Sequence, residues 1–149
     1  MTAKHSRIKE IHRVGKALIY NADGHILALY RSETHPDFAH HVDFPGGVVE
    51  SGEGVELGVA REIEEECGFD VHEEQLTIVN SGMSPDKNGD ETHYYVAKVV
   101  IADTPKVTLS WEHGEYKWLS ASDLLKEMTA QTGKTDTFWD YVKEHLARE

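Results

Sequence analysis

The sequence predicts a mixed α/β sandwich. Strand-like segments fill the first third of the chain, one long amphipathic helix with a four-residue apolar rhythm occupies the middle, and further strands precede two late helices. A chain of 149 residues suits one domain spanning 1–149. A domain this long buries roughly 70% of its unfolded surface and needs neither a disulfide nor a structural metal to fold.

The elements follow in order. Residues 14–20 (VGKALIY) form a strand, 21–24 a turn closed by Gly24, and 25–31 (HILALYR) a second strand, so the pair reads as a hairpin. Residues 32–43 are polar, carry Pro36 and three histidines, and form a long surface loop of the kind that often has a function. Residues 44–50 hold Pro45, Gly46 and Gly47, then the short extended piece Val48-Val49.

The helix spans 54–67, with Val55, Val59, Ile63 and Cys67 at four-residue spacing and Ala60 beside them. Gly68 stands where a left-handed C-cap residue belongs. Glu53 and Glu56 sit at the helix start, where the dipole favours negative charge.

Residues 76–80 form a strand, 84–90 (SPDKNGD) a turn-rich connection, and 91–101 (ETHYYVAKVVI) a strand rich in β-branched and aromatic residues. Residues 107–111 and 115–119 add extended pieces. Ser120 and Ser122 are capping residues for a short helix over 121–128. The last helix covers 136–147, with Phe138, Val142, His145 and Leu146 on one face.

Composition narrows the function classes. Fifteen Lys plus Arg against 27 Asp plus Glu give a net charge of −12. That argues against a tight grip on a nucleic-acid polymer, which depends on cationic neutralisation of phosphates. A small phosphate-bearing ligand remains compatible, because divalent cations supply the missing positive charge. Cys67 is the only cysteine, so no intrachain disulfide forms, as expected in a reducing compartment. Residues 1–16 carry no apolar core of a secretory signal, and no apolar run reaches membrane-spanning length; the expected address is cytoplasmic, without membrane association.

The chemistry concentrates in residues 47–69, GVVESGEGVELGVAREIEEECGF. At about 100° per residue, Glu62, Glu65 and Glu66 fall within about a 100° arc, so three carboxylates share one edge of the helix beside its apolar stripe. Stacked like charges cost an isolated helix a few tenths of a kcal/mol per pair. Four glutamates in the five positions 62–66 form an expensive arrangement unless a cation neutralises it. Mg²⁺ or Mn²⁺ suits such oxygen ligands. With one cysteine, neither a zinc–thiolate nor an iron–sulfur site is indicated. A glutamate run alone is most simply a solvated face. This run, however, follows Arg61 directly, with Glu53 and the Gly46-Gly47 pair upstream.

Gly47, Glu53, Arg61-Glu62-Ile63, Glu65-Glu66 and Gly68-Phe69 together resemble a complete Nudix box. From this chain's own composition the seven fixed matches would coincide with a chance of roughly 4 × 10⁻⁸ per starting position, so the pattern is no accident of acidic content. The strand pattern and the later segment Glu112-His113-Gly114-Glu115-Tyr116-Lys117-Trp118-Leu119 are also similar to that family, which extends the resemblance over most of the chain.

The resemblance implies a Nudix-like α/β/α sandwich with a central mixed β-sheet, in which the box forms a catalytic loop-helix-loop. It implies a pyrophosphohydrolase that cleaves a diphosphate linked to a further group, with Mg²⁺ or Mn²⁺ as cofactor. Carried over by position, the Gly47 carbonyl and the Glu62, Glu65 and Glu66 carboxylates would hold metal. Arg61 and Glu53 would form an orienting ion pair. Glu112 lies in a later loop where some members place a ligand or a general base, and the base is either Glu62 or Glu112. The chemistry asks for such groups: metal neutralises the diphosphate and acidifies water, and a carboxylate takes the proton.

The substrates expected are nucleoside triphosphates, oxidised ones among them, and nucleotide sugars. Dinucleoside polyphosphates and capped RNA ends are the alternative, and a non-catalytic nucleotide-sensing module is a rival that commonly lacks box carboxylates. An isomerase on the same fold would need a cysteine outside the box helix. The chain is expected to act as a monomer or homodimer.

Arg31 ends the second strand and either meets a substrate phosphate or sits at the surface. His35, His40 and His41 are loop residues that either touch ligand or are solvated. Phe38, Phe44, Tyr94 and Trp111 are candidates for base stacking or for core. Gly52-Glu53-Gly54 opens like a dinucleotide fingerprint, but Leu57 replaces its third glycine and no phosphate-loop lysine follows.

Overall fold

The computed structural model describes residues 9–86, 88–131 and 138–149. Its strands are β1 (Ile11–Tyr20), β2 (Ile26–Arg31), β3 (Val42–Asp43), β4 (Gly46–Val49), β5 (Thr77–Pro85), β6 (Glu91–Val100) and β7 (His113–Leu119), and its helices α1 (Val55–Cys67), α2 (Ala121–Ala130) and α3 (Phe138–Leu146). The strands form a mixed sheet with the path β3-β2-β1-β6-β5; β4 joins on β1 and β7 on β2. The parallel pair is β1 with β6, in register from Ile11↔Glu91 to Tyr20↔Val100.

Alternation along β1 explains the layers. Ala17 and Ile19 face one way and join Val59, Ile63 and Cys67 of α1. Leu18 and Tyr20 face the other way and join Leu124 of α2 with Phe138, Trp139 and Val142 of α3. Because both faces of a strand point at opposite sides of the sheet, one alternating segment builds two cores. Burying a side chain such as Ile63 contributes about 1.5–3 kcal/mol. The expected α/β/α sandwich is the one observed.

The hairpin departs from expectation. β1 and β2 pair at Tyr20↔Ile26 and then separate. The segment from β3 to β4 fills the opening. Leu29 pairs with Asp43 on one side, Gly15 pairs with Gly47 on the other, and the Ala17 amide donates to the Pro45 carbonyl at 2.8 Å. The long loop and the start of the acidic segment are thereby woven into the sheet. Gly46 is required at this seam. Its φ is +146°, and a Cβ there would lie 2.1 Å from the Gly15 carbonyl oxygen.

Other boundaries shift modestly. β5 runs on through Pro85 into the expected turn. Residues 107–111 form no sheet strand; they lie along the end of α1, with the Thr108 amide donating to the Cys67 carbonyl and the Ser110 amide to that of Glu66. Ser120, and not Ser122, caps α2 by accepting from the Asp123 amide. The expected start of the last helix at residue 136 lies outside the described residues; within them Trp139 takes the buried place expected of His145. No helix among the described residues is long and apolar enough to cross a membrane.

Candidate active site

α1 is held at both ends by backbone chemistry. Gly68 takes the left-handed conformation, φ +77°, and its amide donates to the Glu64 carbonyl. At the start no side chain caps the helix; the turn before it is closed by Glu53, whose Oε1 accepts from the Glu50 amide at 3.0 Å.

The same Glu53 carboxylate is gripped by Arg61, whose Nε and Nη2 donate to its two oxygens at 3.0 Å each. This two-pronged geometry is the strong form of an ion pair. It holds the Glu53 carboxyl down at about 2 and raises the Arg61 guanidinium. Arg61 also donates to Glu62 at 3.2 Å, approaches Glu65 at 3.6 Å, and reaches the Val48 carbonyl at 3.4 Å. One arginine thus ties the turn, β4 and the acidic edge together.

The three carboxylates of that edge differ sharply in depth. Glu65 is 57% exposed, Glu62 17% and Glu66 4%. Burial pushes the Glu66 carboxyl up to about 9; nearby Lys16 opposes this, while a hydrogen bond with Glu62 and the charges of Asp43 and Glu112 add to it. Its Oε1 has no hydrogen-bond partner. Gly47 lies against Glu62 so closely that a Cβ there would stand 3.3 Å from the carboxylate. The Gly47 backbone against Glu62, and Glu62 hydrogen-bonded with the buried Glu66, make an oxygen-rich cradle, the donor chemistry suited to a hard divalent cation.

A second polar group lies beneath it. Asp43, on β3, is buried and meets Lys16 Nζ at 2.7 Å, His113 Nε2 at 2.7 Å and Arg31 Nε at 3.4 Å. Burial would raise the Asp43 carboxyl, but Lys16, the His113 hydrogen bond and Arg31 together outweigh it and hold the group far below the usual carboxylate range. Trp139 of α3 floors the cluster, with Lys16 and Arg31 over its ring at 5.6 and 5.5 Å.

Residues 11–137 match the NUDIX domain family. This chain belongs to it. A 61-residue segment is 43% identical to an 8-oxo-dGTP diphosphatase of Haemophilus influenzae, covering 41% of the chain and 44% of that relative, so the match spans less than half of the curated protein's length. Among solved structures, a MutT protein from Methanosarcina mazei Go1 superposes with a TM-score of 0.64 at 29% identity, covering 96% of this chain and 95% of that one. An Ap4A hydrolase of C. elegans, solved as a binary complex, superposes with a TM-score of 0.59 at 25% identity over 91% of this chain and 93% of that one.

The NUDIX fold brings Gly47, Glu53, Arg61, Glu62 and Glu66 together as the sequence spacing suggests. Glu65 is drawn to the Arg61 side of the edge. Glu112 is half-buried, its charge acting on Glu66 and its carbonyl accepting from the Ser32 amide at 2.9 Å. Arg31 is not at the surface. It is buried, donates to the Asp37 carbonyl at 3.0 Å, and lines one wall of a cavity of about 640 Å³ with Tyr30, Ser32, His40 and Glu115.

His41 is half-buried against Phe38, His40 is exposed, and His35 lies 6.5 Å from the exposed ring of Trp111. Phe44 and Tyr94 belong to the aromatic core around α3. Cys67 is buried, and burial pushes its thiol up to about 12. Among the described residues, the group whose ligand atoms all lie within 4.8 Å of one another is Glu10, His12 and Asp90, at the start of β1 and β6.

Sequence reasoning missed Asp43, Lys16 and His113 as a unit. The available signal was a charged residue inside an apolar run, Lys16 within VGKALIY and Asp43 within HVDF. Such residues are rarely buried unless paired.

Proposed function

We propose that this chain is a divalent-metal-dependent hydrolase of a diphosphate linkage in a small nucleotide or nucleoside diphosphate derivative. The observation that carries the reading is that the Gly47 backbone lies against the Glu62 carboxylate, which hydrogen-bonds with the buried Glu66, beside the Arg61–Glu53 clamp. In this reading the Gly47 carbonyl with Glu62, Glu65 and Glu66 would hold Mg²⁺ or Mn²⁺, which supplies charge neutralisation for the diphosphate and acidifies a bound water.

The protein's own groups do the rest. Arg61 keeps Glu62 oriented by a 3.2 Å hydrogen bond and holds the turn before α1 in place through Glu53. A carboxylate, Glu62 or Glu112, accepts the proton of the attacking water. Arg31, on the wall of the 640 Å³ cavity, is the basic side chain assigned to the substrate's phosphate end.

Two relatives support two substrate classes. The segment shared with an 8-oxo-dGTP diphosphatase favours nucleoside triphosphates, oxidised ones included, and the likeness to an Ap4A hydrolase favours dinucleoside polyphosphates. The test is product analysis across nucleoside triphosphates, oxidised triphosphates, nucleotide sugars and dinucleoside polyphosphates with Mg²⁺. A monophosphate product from one class, lost in Glu62→Gln, is the expected result. No hydrolysis of any class, with tight nucleotide binding intact, would favour a sensing module instead.

A further inference from the structure

The buried polar group beneath the box ends in two atoms that face each other without partners. His113 Nδ1 and Glu66 Oε1 are 4.0 Å apart, both side chains are at most 4% exposed, and neither atom has a hydrogen bond. Buried polar atoms are almost always satisfied, so two adjacent exceptions call for an explanation.

The imidazole is fixed from behind. Its Nε2 lies 2.7 Å from Asp43 Oδ2, which leaves Nδ1 as the edge presented to Glu66. Asp43 does not require it for charge balance, since Lys16 and Arg31 already stand beside that carboxylate. The backbone is arranged to aim it. The register between β2 and β7 slips between Tyr30 and Arg31, so that Arg31 pairs with His113 and both side chains converge on Asp43. Such a bulge re-aims a side chain.

We infer that His113 is a positioning residue for Glu66, with a hydrogen on each ring nitrogen: Nε2–H donates to Asp43, and Nδ1–H, facing Glu66 Oε1, fixes the direction of a Glu66 carboxylate that would hold the metal. The inference rests on the reading of Glu66 as a ligand. A closure of about 1 Å would bring the two atoms to hydrogen-bond distance. A partner behind a ligating group sets its orientation, and losing one typically costs 10–100-fold in metal affinity.

The experiment measures Mn²⁺ affinity alone, by electron paramagnetic resonance of free ion, on the full chain and on H113Q, E66Q and the double variant. Glutamine keeps a donor within reach of Asp43 and removes Nδ1 from Glu66. H113L, which removes both ring nitrogens, is carried in parallel in case H113Q does not fold, with circular dichroism and Tm as the check.

The expected result is an affinity lowered about 10-fold or more in H113Q at near-native Tm, with no further loss when H113Q is added to E66Q. Saturating Mn²⁺ should then restore turnover in H113Q and not in E66Q. Native affinity in a folded H113 variant overturns the inference, as does an additive loss in the double variant, which would mean that His113 does not act through Glu66. Native affinity in E66Q overturns the ligand reading itself, whatever the His113 variants do.

Discussion

Glu53 and Arg61, eight positions apart, meet through both carboxylate oxygens at 3.0 Å, closing the turn before α1 onto the second turn of that helix. Arg61 in turn holds Glu62 at 3.2 Å, so the orientation of the acidic edge depends on a residue outside it. Replacing Glu53 with Gln removes the carboxylate charge and turns one of the two acceptors of Arg61 into a donor. Activity should fall about 10-fold or more with little change in fold; steady-state kinetics on E53Q check this, and an unchanged rate would make the pair ornamental.

The same pair predicts an acid response. The Glu53 carboxyl falls from an ordinary 4.5 to about 2 in the folded chain, chiefly through its hydrogen bonds from Arg61 and the Glu50 amide. The folded state therefore binds fewer protons than the unfolded chain between those values. Its stabilising contribution is complete above about 4.5 and is lost as pH falls toward about 2. Urea unfolding of E53Q across that range should show a shallower acid decline than the native chain.

Glu65 is the most exposed of the three edge carboxylates, at 57%. Glu65→Gln should therefore leave stability within about 0.5 kcal/mol while removing most of kcat. Thermal unfolding and turnover measured on one preparation test both halves, and a wild-type kcat would remove Glu65 from the ligand set.

Hydrolysis should depend on Mg²⁺ or Mn²⁺ and stop in excess chelator; full turnover there would refute the metal reading. Uptake should also release a proton near neutral pH. Burial first, then Glu62, Asp43 and Glu112, raise the Glu66 carboxyl to about 9 against the opposing pull of Lys16, whereas a ligating carboxylate must be ionised. Calorimetric binding enthalpies should vary with the buffer's ionisation enthalpy, and E66Q should lose that dependence. The metal-free fold binds the extra proton between about 4.5 and 9, so its stability should decline as pH rises through that window.

Gly46 tests the seam between β1 and β4. Alanine would meet the Gly15 carbonyl oxygen at 2.1 Å on a backbone with φ +146°. The backbone strain alone should cost about 1–3 kcal/mol, visible as a lowered urea midpoint, and Gly47 should lose its place beside Glu62.

Much of this molecule was legible in local pattern. The strand-like runs of residues 14–20 and 91–101, the latter rich in β-branched and aromatic residues, the four-residue rhythm of Val55, Val59, Ile63 and Cys67, and Gly68 at the cap each express a pattern that a few neighbouring residues carry. The box spacing was legible for the same reason, since one helical edge and one preceding turn place Glu53, Arg61, Glu62, Glu65 and Glu66. Helical spacing gave Glu62, Glu65 and Glu66 one arc, but no information on depth.

Depth came from what covers the arc. Glu66 is buried because the segment after β6 hydrogen-bonds along the end of α1 and β7 brings His113 to it, 47 positions later in the chain. Asp43 and His113 are 70 positions apart, and β1 pairs with β6 across 80. Arg31 is inside for the same cause: a slipped register turns it toward Asp43. The chain's own order thus settled the family, the helix and the acidic edge, because local geometry repeats every two or 3.6 residues. Which of those acids is solvated and which is sealed was settled by strand pairing over long separations, for which no short-range period exists.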